Sequence, residues 1–177
     1  FEFNALWGAQ DGEDFSDSYG DVGADGIAVK VKNSYVDYNL GNYNFKIGTQ
    51  AGYLGRGFIM DDDFSGALIT GNFGDIEVPF YWIKMNEGTE RWSGANAKDA
   101  NDEDTDAYVI DPKFKSGNIN VNPFLVYVTQ ESTDMSAYNL GVSLDASLGN
   151  ANAWFTGIYQ GGDKDDNISY GGYLVAF

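Results

Sequence analysis

From Asn42 to Tyr53 the chain alternates between two kinds of residue. Tyr43, Phe45, Ile47, Ala51 and Tyr53, with Thr49 among them, form an apolar and aromatic set. Asn42, Asn44, Lys46, Gly48, Gln50 and Gly52 form a polar or glycine set. Side chains on a strand point alternately to opposite faces, so this stretch predicts a strand with one apolar and one wet face. Ala137–Leu148 repeats the pattern, with Tyr138, Leu140, Val142, Leu144, Ala146 and Leu148 against Asn139, Gly141, Ser143, Asp145 and Ser147. Weaker alternation predicts further strands over 1–10, 26–40, 64–73, 76–85, 106–115, 119–130, 151–160 and 168–177. In the second of these, Ile27, Val29 and Val31 share one parity and Val36, Tyr38 and Leu40 the other. A parity switch near Asn33 and Ser34 predicts a β-bulge.

The links between strands are of two kinds. Four tight turns carry Gly followed by Asn or Asp: Gly41-Asn42, Gly74-Asp75, Gly117-Asn118 and Gly149-Asn150. The other links are longer and polar, over 11–25, 55–63, 86–105, 131–136 and 161–167. Most acidic residues fall in those links, whereas Lys46, Lys84, Lys113 and Lys115 fall in strands. Short turns at one end and long loops at the other, joining long one-sided strands, is the pattern of a membrane-spanning barrel. A barrel with charges repeating on its inner face implies a wet interior. The expected fold is therefore all-β, an antiparallel up-and-down transmembrane β-barrel of about ten strands, occupying residues 1–177 as one domain. Pro79, Pro112 and Pro123 run against this reading, because proline cannot donate to a ladder and a closed barrel has no spare edge.

Composition narrows the chemistry. The 177 residues carry 10 Lys plus Arg against 27 Asp plus Glu, a net charge of −17. A phosphate backbone seeks a basic surface, so nucleic acid is not an expected partner. The absence of Cys removes disulfides and thiolate metal sites, and the absence of His removes the Ser-His-Asp triad and the common zinc sets. Paired carboxylates such as Asp111 and Asp145 carry little weight as a glycosidase pair, and no enzyme is expected. No signal peptide is present and the chain begins at Phe1, which predicts a processed mature chain or a segment of a longer one.

The amphipathic strands, the Gly-Asn and Gly-Asp turns and the terminal Tyr173-Leu174-Val175-Ala176-Phe177 together resemble a Gram-negative outer-membrane porin. Gly52–Asp63 also resembles a segment of porin-like proteins. The resemblance implies a water-filled channel in the bacterial outer membrane for passive diffusion of small hydrophilic solutes or ions. It implies outer-membrane lipid and lipopolysaccharide as surroundings and a homotrimer as one form of assembly. Family barrels have more strands than the ten expected here, so a segment of a larger porin is one possibility. The acidic mouth predicts cation preference. In porins an inward-folded loop narrows the channel, which makes Glu87, Glu90, Arg91, Asp99 and Asp102 of the long loop 86–105 constriction candidates. Lys46, Gln50, Asp111, Lys113, Lys115 and Asp145 are the pore-lining candidates from the strands. Asp61, Asp62 and Asp63 are a weak metal candidate, since Ca²⁺ takes carboxylate oxygens, though a solvated loop explains them more simply; no other cofactor is expected. Two alternatives stand beside the channel. One is a soluble extracellular β-sandwich for adhesion or carbohydrate binding, and the other is an outer-membrane barrel without a pore.

Overall fold

The computed structural model describes residues 2–7, 27–86, 104–130, 135–165 and 168–177. They form one antiparallel sheet: β1 (Glu2–Trp7), β2 (Ile27–Leu40), β3 (Tyr43–Leu54), β4 (Met60–Phe73), β5 (Ile76–Asn86), β6 (Thr105–Ile110), β7 (Phe114–Ser116), β8 (Ile119–Gln130), β9 (Met135–Leu148), β10 (Ala151–Asp165) and β11 (Ile168–Ala176). Each strand lies beside its neighbour in sequence, except that β8 pairs with both β6 and β7. This up-and-down order is the one the alternation predicts. Closure is not seen: among the described residues the sheet is open, with β1 at one edge and β11 at the other.

The four Gly turns sit where the sequence places them. Gly41, Gly74, Gly117 and Gly149 take φ of 60°, 65°, 62° and 68°. A side chain there would meet the left-handed penalty, which glycine escapes. The bulge is also present. Glu2 pairs with Asn33 but Phe3 with Val31, which leaves Lys32 as the extra residue. Upstream of this point β2 pairs with β1, and from Ser34 onward it pairs with β3.

Two predicted loops are shorter than expected. Backbone pairing of Ala51–Leu54 with Met60–Asp63 extends β3 and β4, so Asp61, Asp62 and Asp63 lie in a strand. Asp62 therefore points to the face opposite Asp61 and Asp63, which keeps the three carboxylates from converging. No group of three acidic side chains with metal-site geometry occurs among the described residues. Likewise Gly161–Asp165 belongs to β10, paired with both β9 and β11 through Asp163.

The predicted strand 106–115 divides at Asp111-Pro112, and the three prolines explain the division. Ile110 pairs with Leu125, and Phe114 pairs with Val121 in the same register, so Pro112 falls opposite Pro123. Neither has an N–H to give. Asp111 N–H donates to the Pro79 carbonyl at 3.0 Å, and Glu77 and Lys113 exchange both backbone bonds at 2.9 and 2.7 Å. The strand therefore stays aligned through the gap. Asn122 Nδ2 fills it, donating to the Pro112 carbonyl at 2.9 Å and to Asp111 Oδ1 at 2.7 Å. The prolines are gathered into one local defect and do not disturb the rest of the sheet.

The sheet curls around an apolar cluster of Leu54, Phe64, Tyr81, Val109, Phe124 and Ile158 together with their neighbours. These residues come from β3, β4, β5, β6, β8 and β10, so the curl brings distant strands face to face. Phe124 is fully buried, and its ring lies over Gly141 on β9, where a Cβ would come within 2.2 Å of it. This corrects the expectation of a uniformly wet inner face. β5, β6 and β8 are apolar on the concave face at Tyr81, Ile83, Ala107, Val109, Phe124 and Val126 as well as on the outward face at Phe80, Trp82, Tyr108, Ile110, Leu125 and Tyr127, so the centre of the concave face is dry.

Candidate functional site

The outward face is ordered in rows that cross the sheet. Tyr38, Phe45, Ile69, Phe80, Ile110, Leu125, Leu140, Tyr159 and Tyr173 are successive cross-strand partners from β2 to β11. Phe45 and Ile69 are half-buried and the other seven are exposed, Tyr173 by 86%. On one side runs a parallel row of Val36, Ile47, Ala67, Trp82, Tyr108, Tyr127, Tyr138, Gly161 and Gly171. On the other, β2 to β5 continue with Leu40, Tyr43, Gly71 and Val78, and β8 to β11 with Pro123, Val142, Gly157 and Val175. None of these residues is charged.

The band ends abruptly. One step beyond the Trp82 row the partners are Ser34, Thr49, Ser65, Lys84, Asp106, Thr129, Ser136, Asp163 and Ser169, all polar. They bond to one another and to the aromatic row beneath. Thr49 and Ser65 hydroxyls lie 2.9 Å apart, Ser169 donates to Asp163 at 2.6 Å, and Trp82 Nε1 donates to Asp106 at 3.1 Å. Lys84 reaches Asp104 at 2.8 Å and Asp106 at 3.7 Å. On β9 the apolar outward set runs from Tyr138 to Leu148. At roughly 3.4 Å per residue and a tilt near 45°, that span projects to about 24 Å, against an apolar band of about 25 Å in membrane barrels.

The concave face is divided. Its polar residues gather toward the Gly turns. Lys46 Nζ lies 3.8 Å from Asp37 and 5.5 Å from the Tyr35 ring, and Asn44 donates to Asp37 at 2.6 Å. Lys113 sits between Glu77 at 3.1 Å and Asp111 at 3.8 Å. Asp145 takes the Arg56 guanidinium, which also lies 4.7 Å from the Trp154 ring centroid. Ser143 and Thr156, directly paired and buried, share a hydrogen bond of 3.0 Å.

The six strand candidates thus share one face but not one environment. Lys46, Lys113, Lys115 and Asp145 keep exposure to solvent. Gln50 is only 3% exposed beside Phe64, donating to the Lys46 carbonyl at 3.3 Å. Asp111, at 1%, is enclosed by Asn122 and Lys113. Glu87, Glu90, Arg91, Asp99 and Asp102 lie outside the described residues. Four participants escaped the sequence reading: Arg56, Glu77, Asn122 and Trp154. Arg56 alone had a visible signal, a long cation set between two glycines.

No helix among the described residues is long and apolar enough to cross a membrane, which leaves crossing by strands untouched. No known family model matches the chain, and no curated protein matches it.

Proposed function

We propose that this chain builds the wall of a bacterial outer-membrane channel, a porin that passes small hydrophilic solutes by passive diffusion with a preference for cations. The observation that carries the reading is the outward band: three uncharged cross-strand rows bounded by one wholly polar row. In water such a face exposes a contiguous apolar surface of the kind that soluble monomers rarely leave uncovered. Against lipid the same face is favourable, with Trp82, Tyr108, Tyr127 and Tyr138 at the interface and the polar row in the headgroups. Outer-membrane lipid and lipopolysaccharide are the partners that chemistry fits. A soluble sandwich needs a second sheet over this face, and the described residues form one sheet only. Unpaired β1 and β11 edges are untenable in hydrocarbon, so the working form closes them against each other or against further strands, and a homotrimer is compatible with either.

The charged concave rim of Lys46, Glu77, Lys113, Lys115 and Asp145 supplies a wet surface for solutes. The apolar cluster at its centre favours a second reading, a barrel of the same membrane without a pore. Planar bilayers separate the two. The intact protein, reconstituted, is expected to conduct with a cation preference that weakens at high salt as screening shortens the reach of the acidic groups. Complete absence of conductance overturns the channel and leaves the closed barrel.

A further inference from the structure

We propose that the five-residue link Gly55–Ile59, with Arg56 at its tip, is the selectivity constriction of this channel; the inference rests on the channel reading above. The link does not stand away from the sheet. It closes through Phe58 N–H to the Gly55 carbonyl at 3.1 Å and Ile59 N–H to the Leu54 carbonyl at 3.4 Å. A Cβ on Gly55 would come within 2.9 Å of Ile59 Cγ1 and 3.1 Å of Phe124 Cζ, so the backbone lies down on the apolar cluster. From there it bridges the concave face between the end of β3–β4 and the turn-proximal part of β9–β10.

Arg56 makes that bridge. Gly55, Arg56 and Gly57 take φ of 58°, 60° and 81°, three left-handed residues in succession. Glycine adopts this conformation freely, whereas an arginine is strained in it. Among the described residues Arg56 is the sole non-glycine with positive φ. Its side chain spans 89 positions of sequence to bond Asp145 with Nη2. The same guanidinium rests 4.7 Å from the Trp154 ring centroid, and Trp154 is the cross-strand partner of Asp145. A planar cation can grip a carboxylate with its edge and an indole with its face at once, which an ammonium cannot. The Arg56 side chain is 27% and that of Asp145 51% exposed, so both charges still face solvent. Paired in this way, Arg56 cancels the Asp145 charge at the narrowing of a strongly acidic protein, which lowers the local pull on cations and leaves a guanidinium that anionic solute groups can contact. This puts a narrowing at 55–59; residues 87–103, most of the loop that the porin resemblance implied, lie outside the described residues.

The test is single-channel conductance and reversal potential of the intact protein in planar bilayers under a KCl gradient. Arg56→Ala is expected to raise conductance and to move the reversal potential toward the potassium limit. Arg56→Lys keeps the charge and is expected to hold the reversal potential near wild type. Asp145→Asn is expected to shift it the opposite way from Arg56→Ala. Heat-modifiable migration confirms that each variant folds, and Asp145→Asn carries the test should Arg56→Ala fail to fold. An Arg56→Ala channel indistinguishable from wild type overturns the proposal, as does an Asp145→Asn channel whose reversal potential is unchanged. A wild-type protein that does not conduct overturns the channel reading and this role together. Tryptophan emission separates the two failures. With the link seated on Trp154, Arg56→Ala shifts the emission, and the shift vanishes in a Trp154→Phe background. No shift in either background shows the seat itself to be wrong.

Discussion

Gly48 and Gly66 face each other on β3 and β4, and neither can be replaced cheaply. They take φ of 133° and 158°, and a Cβ would approach the Ser34 carbonyl oxygen at 2.2 Å and the Trp82 carbonyl oxygen at 1.9 Å. The obstacle in both cases is backbone, which cannot rotate away. Glycines within strands mark such close approaches and let a sheet bend. Gly117, by contrast, has a positive φ and open space around its Cβ position. Gly117→Ala should cost about 1–2 kcal/mol, the left-handed penalty alone. Gly66→Ala should cost clearly more, because β4 and β5 must also move apart. Urea midpoints of the detergent-folded protein, read from its heat-modifiable band, compare the two, and equal losses would refute the packing argument.

At the scale of a strand, the two faces of β9 and β8 demand different things. Leu140 lies in the central apolar row and Thr129 in the polar row that bounds the band. In a bilayer, an arginine on the lipid face costs about 2–4 kcal/mol near the midplane and about 0–1 kcal/mol near the interface. Leu140→Arg should therefore depress assembly into lipid vesicles, while Thr129→Arg should scarcely change it. Similar behaviour of both would falsify the membrane assignment of this face. The same strand logic explains the prolines. Taken one at a time, each contradicts a buried ladder. Placed opposite one another, Pro112 and Pro123 remove two donors at one point, and Asn122 supplies the replacement.

For the whole molecule, the open curl with one greasy outer face predicts its handling. Extracted in detergent it should give a folded, heat-modifiable species, and on detergent removal it should associate through its apolar band. A monodisperse, detergent-free monomer would favour the soluble alternative instead. The net charge of −17 bears on which ions and partners approach the protein, but it says nothing of the fold.

Alternation and turn chemistry were enough to find the strands, their up-and-down order, the four Gly turns and the bulge in β2. These depend on neighbours in the chain, and a period of two with a Gly-Asn or Gly-Asp pair records them directly. The ends of β4 and β10 were misread because Asp61–Asp63 and Gly161–Asp165 are polar, and polarity resembles a loop until a partner strand is seen to pair with it. The split of the inner face was equally hidden. Strands apolar on both sides, such as β6 with Ala107 and Val109 opposite Tyr108 and Ile110, do not reveal which side is enclosed. Only the curl of the sheet decided that, by bringing Leu54, Phe124 and Ile158 together and carrying Arg56 across to Asp145. Local periodicity fixes which residues share a face; burial and long-range pairing depend on which faces meet, and that is a property of the whole sheet.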